Sequence, residues 1–230
     1  MFSHHKTSEE TWNAIAQSFD ATRRKPWEQC VKFISNLPKK SAVIDLGCGN
    51  GRHLIPCAER CKKTVGLDIS KNLLNIVKKK IKEKRLNNVL LLHSNLTNLP
   101  LKDDSVDAVL FIASLHNIKC QEQRVKSLNE VRRILRKDGT ALIGVWSRWQ
   151  DRFRMYFLKE WLKKRKTSEF GDIELLWKQH GLNVPRFYHL YSKNEFLQDL
   201  KAAGLKIVDF KAVKLKSKRH ADNFFVIVKN

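Results

Sequence analysis

The sequence holds no apolar run approaching the roughly 18 residues that a membrane-spanning helix needs, and its opening, Met1-Phe2-Ser3-His4-His5, lacks the apolar core of a signal peptide. A soluble, cytoplasmic protein with no membrane partner is expected. Paired cysteines are lacking as well. Cys30, Cys48, Cys57, Cys61 and Cys120 make an odd set without a Cys-x-x-Cys unit, which excludes a disulfide scaffold and points to reduced thiols. Cys57 and Cys61 stand at i and i+4 with no His or further Cys at ligand spacing, so no metal site is expected. Acid is scarce: 23 Asp and Glu face 45 Lys and Arg across 230 residues, a formal net charge of +22. The Lys-rich surfaces of heat-adapted proteins balance Lys with Glu, and this chain does not. Such a field attracts polyanions, which makes nucleic acid the expected partner. Apolar residues are plentiful at 42% beside 30% charged, enough for a full core and too many for a disordered chain.

Between Ser41 and Ser147 short apolar runs alternate with amphipathic stretches, the pattern of a parallel sheet with helices on both faces. Strands are expected over 42–46, 64–67, 89–92, 106–112 and 140–146. Between them, Leu73, Leu74, Val77 and Ile81 make one helical stripe among lysines. Val125, Leu128, Val131 and Leu135 make another, which Asp138-Gly139 is expected to end. Ahead of the first strand, 8–22 and 26–37 read as helices, the second opened by Pro26, and form a helical flank over 1–40. After the fifth strand comes a basic helical insertion, 148–185. Its Phe153, Tyr156, Phe157, Trp161 and Leu162 lie among Lys and Arg, and it is expected to pack on its own sheet rather than lie on a membrane or on RNA. The segments 187–191, 205–213 and 224–228 read as closing strands of the same sheet.

The run Val43-Ile44-Asp45-Leu46-Gly47-Cys48-Gly49-Asn50-Gly51 joins a strand to a helix through glycines that admit positive φ and close approach to a ligand. The spacing is G-x-G-x-G with no Lys-Ser/Thr after it, which excludes a phosphate-gripping P-loop. Asp68 ends the second strand, where a carboxylate can accept both hydroxyls of a ribose; its structural alternative is a helix N-cap.

The acid before the loop, the glycine spacing, Asp68 and the Asn95-Leu96-Thr97-Asn98-Leu99-Pro100 run together resemble the S-adenosylmethionine-dependent class I methyltransferases. That resemblance implies an α/β fold, a Rossmann-like sandwich with a seven-stranded, mostly parallel sheet, as a single domain over 1–230. It implies S-adenosylmethionine as cofactor, bound by Asp45, Gly47, Gly49, Gly51, Asp68, Ile69, Asn95, Leu96 and Ala113. The loop would lie on the methionine part, Asp68 on the ribose and Ile69 on adenine. Asn95 stands where the family carries an acid, and its amide oxygen can still accept from the adenine amino group.

Further motifs narrow the resemblance. Thr22-Arg23-Arg24-Lys25-Pro26-Trp27, Leu115-His116-Asn117 and Arg186-Phe187-Tyr188-His189-Leu190-Tyr191 are similar to those of the tRNA wobble-uridine methyltransferases that esterify 5-carboxymethyluridine, in a compact, archaeal form. The implied partners are the tRNA anticodon loop and a small zinc-binding activator protein in a heterodimer. A carboxylate substrate is ionised at neutral pH, so catalysis is mainly positioning. Arg23, Arg186 and His116 are the candidate catalytic residues, with Lys25, Trp27, Tyr188, His189 and Tyr191 as candidate substrate contacts. An arginine fork would hold the carboxylate, and an aromatic face would stack a splayed base. The rivals are a small-molecule O-methyltransferase of the same fold and a catalytically silent RNA-binding subunit. In the strand order usual for the family the third strand, 89–92, is an edge without charge, and the activator is expected to cover it.

Overall fold

Thr7 starts the first helix. Its hydroxyl accepts from the Glu10 N–H at 3.2 Å while Glu10 Oε2 accepts from the Thr7 N–H at 2.7 Å, a reciprocal cap that satisfies two otherwise orphaned donors. Helix α1 then runs Ser8–Thr22, as expected. The computed structural model describes residues 6–162 and 168–230. These fall into two units, Met1–Pro100 with Leu175–Arg186, and Leu101–Glu174 with Phe187–Asn230.

In the first unit, α1 is followed by α2 (Glu28–Ser35), β1 (Ala42–Leu46), α3 (Leu54–Arg60), β2 (Lys63–Asp68), α4 (Lys71–Glu83) and β3 (Val89–His93). Trp27, with ψ at 145°, is the N-cap of α2, so Pro26 precedes the helix instead of opening it. β1 pairs parallel with β2, and β2 parallel with β3. α1 packs on α4, where Ala16 meets Leu73 and Ile76 beneath Trp12 and Phe19.

The second unit holds β4 (Val106–Ile112), α5 (Gln121–Ile134), β5 (Leu135–Trp146) and α6 (Arg154–Trp161), then α7 (Lys193–Ala202), β8 (Lys206–Val213) and β9 (Asn223–Lys229). β4 and β5 are parallel, and β9 is antiparallel to both β5 and β8. The helix expected to run to Asp138-Gly139 stops at Ile134, because Leu135 joins β5 opposite Val106. β6 (Asp172–Trp177) and β7 (Val184–His189) form their own two-stranded sheet, so 187–191 does not close the main sheet as expected. The stretch 148–185 is therefore helical over Arg154–Trp161 and then turns to strand; the part of it at 163–167 lies outside the described residues.

The main sheet has seven strands in the order β3-β2-β1-β4-β5-β9-β8, the mostly parallel α/β arrangement expected. Its two edge strands are built differently. β8 carries Lys206, Asp209 and Lys211 and an irregular register between Ile207 and Asp209, devices that discourage further pairing. β3 carries Val89, Leu90, Leu91 and Leu92 with no such break, and Leu90 is 54% exposed. Among the described residues no helix is long and apolar enough to cross a membrane.

Candidate active site

β1 delivers Asp45 to the start of the glycine loop. Gly47, Gly49 and Gly51 have φ of 70°, 56° and 80°, the left-handed region that side chains resist. The loop is hung on the end of β2: the N–H groups of Gly47 and Cys48 donate to the Leu67 carbonyl at 2.8 and 2.9 Å. Asp68 then accepts from Gly49 N–H on one oxygen and from Ser70 N–H on the other, both at 2.8 Å. One acid thus fixes the loop and opens the next turn, while each oxygen keeps a lone pair for a ligand. A side chain at Gly49 would begin 3.4 Å from the Phe19 ring, so the loop is closed over by α1.

Asp45 is buried, and its Oδ2 has no hydrogen-bond partner. Burial pushes its carboxyl up to about 7, with Arg52 opposing and Asp68 adding to the rise. Burial also raises Asp68, against the bonds from Ser70 and Gly49. An orphaned carboxylate oxygen, a second acid and a bare backbone loop suit a ligand that combines a cation with hydroxyl groups. S-adenosylmethionine is such a ligand, so these residues fit it. Asn95 departs from its expected role: its amide oxygen accepts from Thr97 N–H at 3.1 Å and Thr97 Oγ1 at 3.2 Å, closing a local turn. Ile69 is half-buried and its carbonyl meets His93 Nε2 at 2.8 Å; Leu96, also half-buried, follows in the Asn95 turn.

The candidate arginines come together. The Arg23 guanidinium lies over the Trp177 ring at 5.3 Å and that of Arg186 over the same ring at 4.7 Å. The indole itself is buried and fixed: its N–H donates to Ser18 Oγ at 2.8 Å, and Ser18 Oγ meets His180 Nδ1 at 2.7 Å. Trp177 was not foreseen in the sequence. Neither was the latch that ties Arg23 to the glycine loop, in which Asn50 Nδ2 donates at 2.8 Å to both Asp20 Oδ1 and the Arg23 carbonyl. Lys80 pairs with Asp20 and also donates to the Asn50 carbonyl at 3.1 Å. Lys25 is exposed, and Trp27 is half-buried under the Arg52 guanidinium at 4.7 Å. Burial lowers the Arg52 pKa, with a contribution from the Arg23 charge, so cations crowd this end of the unit.

The second unit holds the other candidates. Ala113 ends β4 with φ at 56°, its N–H donating to the Gly144 carbonyl at 2.8 Å. His116 is fully buried and its Nδ1 accepts from the Trp146 N–H at 3.1 Å, so that nitrogen is committed. Its ring lies beside Trp146 and Tyr188, which stack nearly parallel at 4.9 Å. His189 and Tyr191, expected to meet a base, are also fully buried. Both ring nitrogens of His189 are engaged at 2.7 Å, by Asp172 and by Glu195, and Tyr191 donates to Asp199 at 3.1 Å. Glu169, Asp172 and His189 lie within a metal ion's reach of one another, yet Glu169 pairs with Arg124 at 2.6 Å and both sides of the imidazole are occupied. This is an ion-pair network.

A family model described as a methyltransferase domain matches residues 44–143. A tRNA (carboxymethyluridine(34)-5-O)-methyltransferase of Xenopus tropicalis is 33% identical over 189 residues, 82% of this chain and 28% of that protein. The chain thus spans about a quarter of that relative's length. A protein of the same name from Schizosaccharomyces pombe is 29% identical over 87% of this chain and 89% of its own. A protein of Encephalitozoon cuniculi named as a methyltransferase is 30% identical over 84% of each chain. A chain of the complex between the Haloferax volcanii Trm112 methyltransferase activator and a methyltransferase superposes with a TM-score of 0.70 at 16% identity, covering 97% of both. With its seven-stranded sheet and its loop held by Asp68, the chain belongs to the class I S-adenosylmethionine-dependent methyltransferases.

Proposed function

We propose that the chain methylates the carboxylate of 5-carboxymethyluridine at the wobble position of tRNA, forming the methyl ester. The observation that carries this reading is the convergence of Arg23 and Arg186 on Trp177. Two guanidiniums beside one buried ring can present donors to an anion with two oxygens. The relatives in Xenopus tropicalis and Schizosaccharomyces pombe carry the name of that activity, and the net charge of +22 suits a polyanionic substrate.

When bound, the cofactor would supply a methyl group from its sulfonium, the sulfur keeping the electron pair of the broken carbon–sulfur bond. The chain's own task is to orient. The substrate carboxylate is already ionised at neutral pH, so no base need remove a proton, and His116, with Nδ1 committed to Trp146, is a support for the Trp146–Tyr188 stack. Arg23 and Arg186 hold the carboxylate so that one oxygen stays free to attack.

The β3 edge fits the small zinc-binding activator as a second chain, since an added strand would satisfy its backbone and cover Leu90. A chain of the same fold comes from a complex between a Trm112 methyltransferase activator and a methyltransferase in Haloferax volcanii. Leu90, rather than the half-buried Leu91 that packs with Cys48 and Leu54, is the position to test: Leu90→Lys should abolish heterodimer formation with cofactor binding intact. Mass spectrometry of wobble nucleosides after incubation with cofactor and carboxymethylated tRNA tests the activity. Methyl ester formation that is lost in Arg23→Ala and Arg186→Ala is expected. A chain that esterifies small free carboxylic acids as fast as tRNA would sink the reading.

A further inference from the structure

The end of the second unit exposes a surface that the methyl-transfer site does not use. Of the residues in α6 only Phe157 is buried, while Met155 is 59% exposed, Trp161 61% and the following Leu162 70%. The expectation that this helix packs on its own sheet therefore fails for all of it but the Phe153–Phe157 stripe. Such a cluster of exposed apolar and aromatic side chains marks a contact surface.

Beside it stands the loop between β8 and β9, which carries Lys214, Lys216, Lys218 and Arg219, all exposed. Two acids underneath shape this loop. Asp222 accepts from the N–H groups of Leu215, Lys216 and Ser217 at 2.7, 2.6 and 2.9 Å. Asp151, just ahead of α6, accepts from those of Lys218, Arg219 and His220 at 2.8, 2.9 and 3.0 Å. Arg154 Nη1 in the first turn of α6 meets His220 Nε2 at 3.0 Å. Helix and loop are therefore one surface, with both carboxylates engaged by backbone amides and by the His220 and Asn223 side chains, and four cations exposed.

We propose that this surface, α6 with the Lys214–Arg219 loop, is an RNA platform that grips a single-stranded or looped part of the tRNA. The cations take the phosphates, and Tyr156 and Trp161 offer faces on which unpaired bases stack. Charge decides the occupant: a loop of four cations, with Asp151 and Asp222 engaged within the surface itself, complements a polyanion and repels a second copy of this basic chain. The backbone bonds fix the spacing of those cations, as discrete phosphates require and a fluid lipid surface does not. This inference rests on tRNA being the substrate.

The test measures tRNA binding by the full chain across a salt series, with methyl transfer followed separately. The triple variant Lys216→Ala, Lys218→Ala, Arg219→Ala should bind at least about tenfold more weakly, and its slope of log affinity against log salt should shrink by about 2 to 3, since each lost phosphate contact removes about 0.7 to 0.9. Trp161→Ala should cost about fivefold or more with the slope unchanged. Both should keep parental cofactor affinity. Parental tRNA affinity and slope in the triple variant would overturn the platform. So would binding to phosphatidylserine vesicles, or self-association on sedimentation, that the variants lose while tRNA binding stays whole. If the slope shrinks as expected but the parent chain forms no methyl ester, the platform stands and the proposed activity falls.

Discussion

Two groups of charges in this protein are arranged in opposite ways. In the second unit each buried cation faces an acid: Arg124 pairs with Glu169 at 2.6 Å, Arg148 with Glu195 at 2.5 Å, and His189 sits between Asp172 and Glu195. Burial opposes the charge on His189, but the two carboxylates outweigh it and its pKa is raised, while burial would raise Glu195 and the imidazolium holds it down. In the first unit, Arg23 and Arg186 converge on a neutral indole, and the buried Asp45 keeps an orphaned oxygen. Charges that answer one another hold a fold together. A buried carboxylate oxygen left without a hydrogen-bond partner, as at Asp45, is arranged for something that arrives.

The comparison breaks if damage to the paired group leaves the fold unharmed. Glu195→Gln should cost about 3 to 5 kcal/mol in urea unfolding, because it leaves Arg148 and His189 buried without their shared acid, and cofactor affinity should hold in whatever remains folded. Acidity sharpens the contrast, since the two groups respond with opposite sign. Glu195 has a lowered folded pKa, so its contribution is present above the unfolded value and is lost as pH falls through the folded one. Asp45 is raised from 3.8 to about 7, so the stability tied to its protonated form is complete below about 4 and is lost as pH rises through 7, by up to about 4 kcal/mol. Unfolding curves at pH 5 and pH 8 should show about 3 kcal/mol of that loss in the parent chain and none of it in Asp45→Asn.

Next in size is Arg23→Ala, expected to lower turnover on tRNA about a hundredfold, or about 3 kcal/mol on the barrier, with the melting temperature unchanged. A matching fall in stability would place Arg23 with the structural charges. The smallest effect belongs to Asn50→Ala, which removes the bonds to Asp20 and the Arg23 carbonyl. A loss of about 1 kcal/mol is expected, seen as a raised KM for tRNA at unchanged fold.

Much of the strand pattern and of the glycine loop was legible in the sequence. The bounds of β1 and β4 coincide with apolar runs, and the glycine loop with Asp68 announces itself by local spacing. Trp177 was missed because 148–185 reads as one basic helical stretch, although Ile173, Leu175 and Trp177 alternate with a period of two. β7 was assigned to the main sheet because a strand pattern does not name its partner. The paired charges of the second unit were illegible for a different reason: Arg124 and Glu169 lie 45 residues apart, and His189 looks the same in sequence whether it meets a base or two carboxylates.

The Asn50 side chain has a consequence for the order in which ligands arrive. One amide on the cofactor loop carries the backbone of the arginine expected to grip the substrate, so a loop steadied by one ligand presents that arginine already poised for the other. Linkage makes the benefit mutual: whatever factor the cofactor adds to the affinity for tRNA, tRNA must return to the cofactor. A chain latched in this way would gather its two ligands cooperatively and seldom hold one for long without the other.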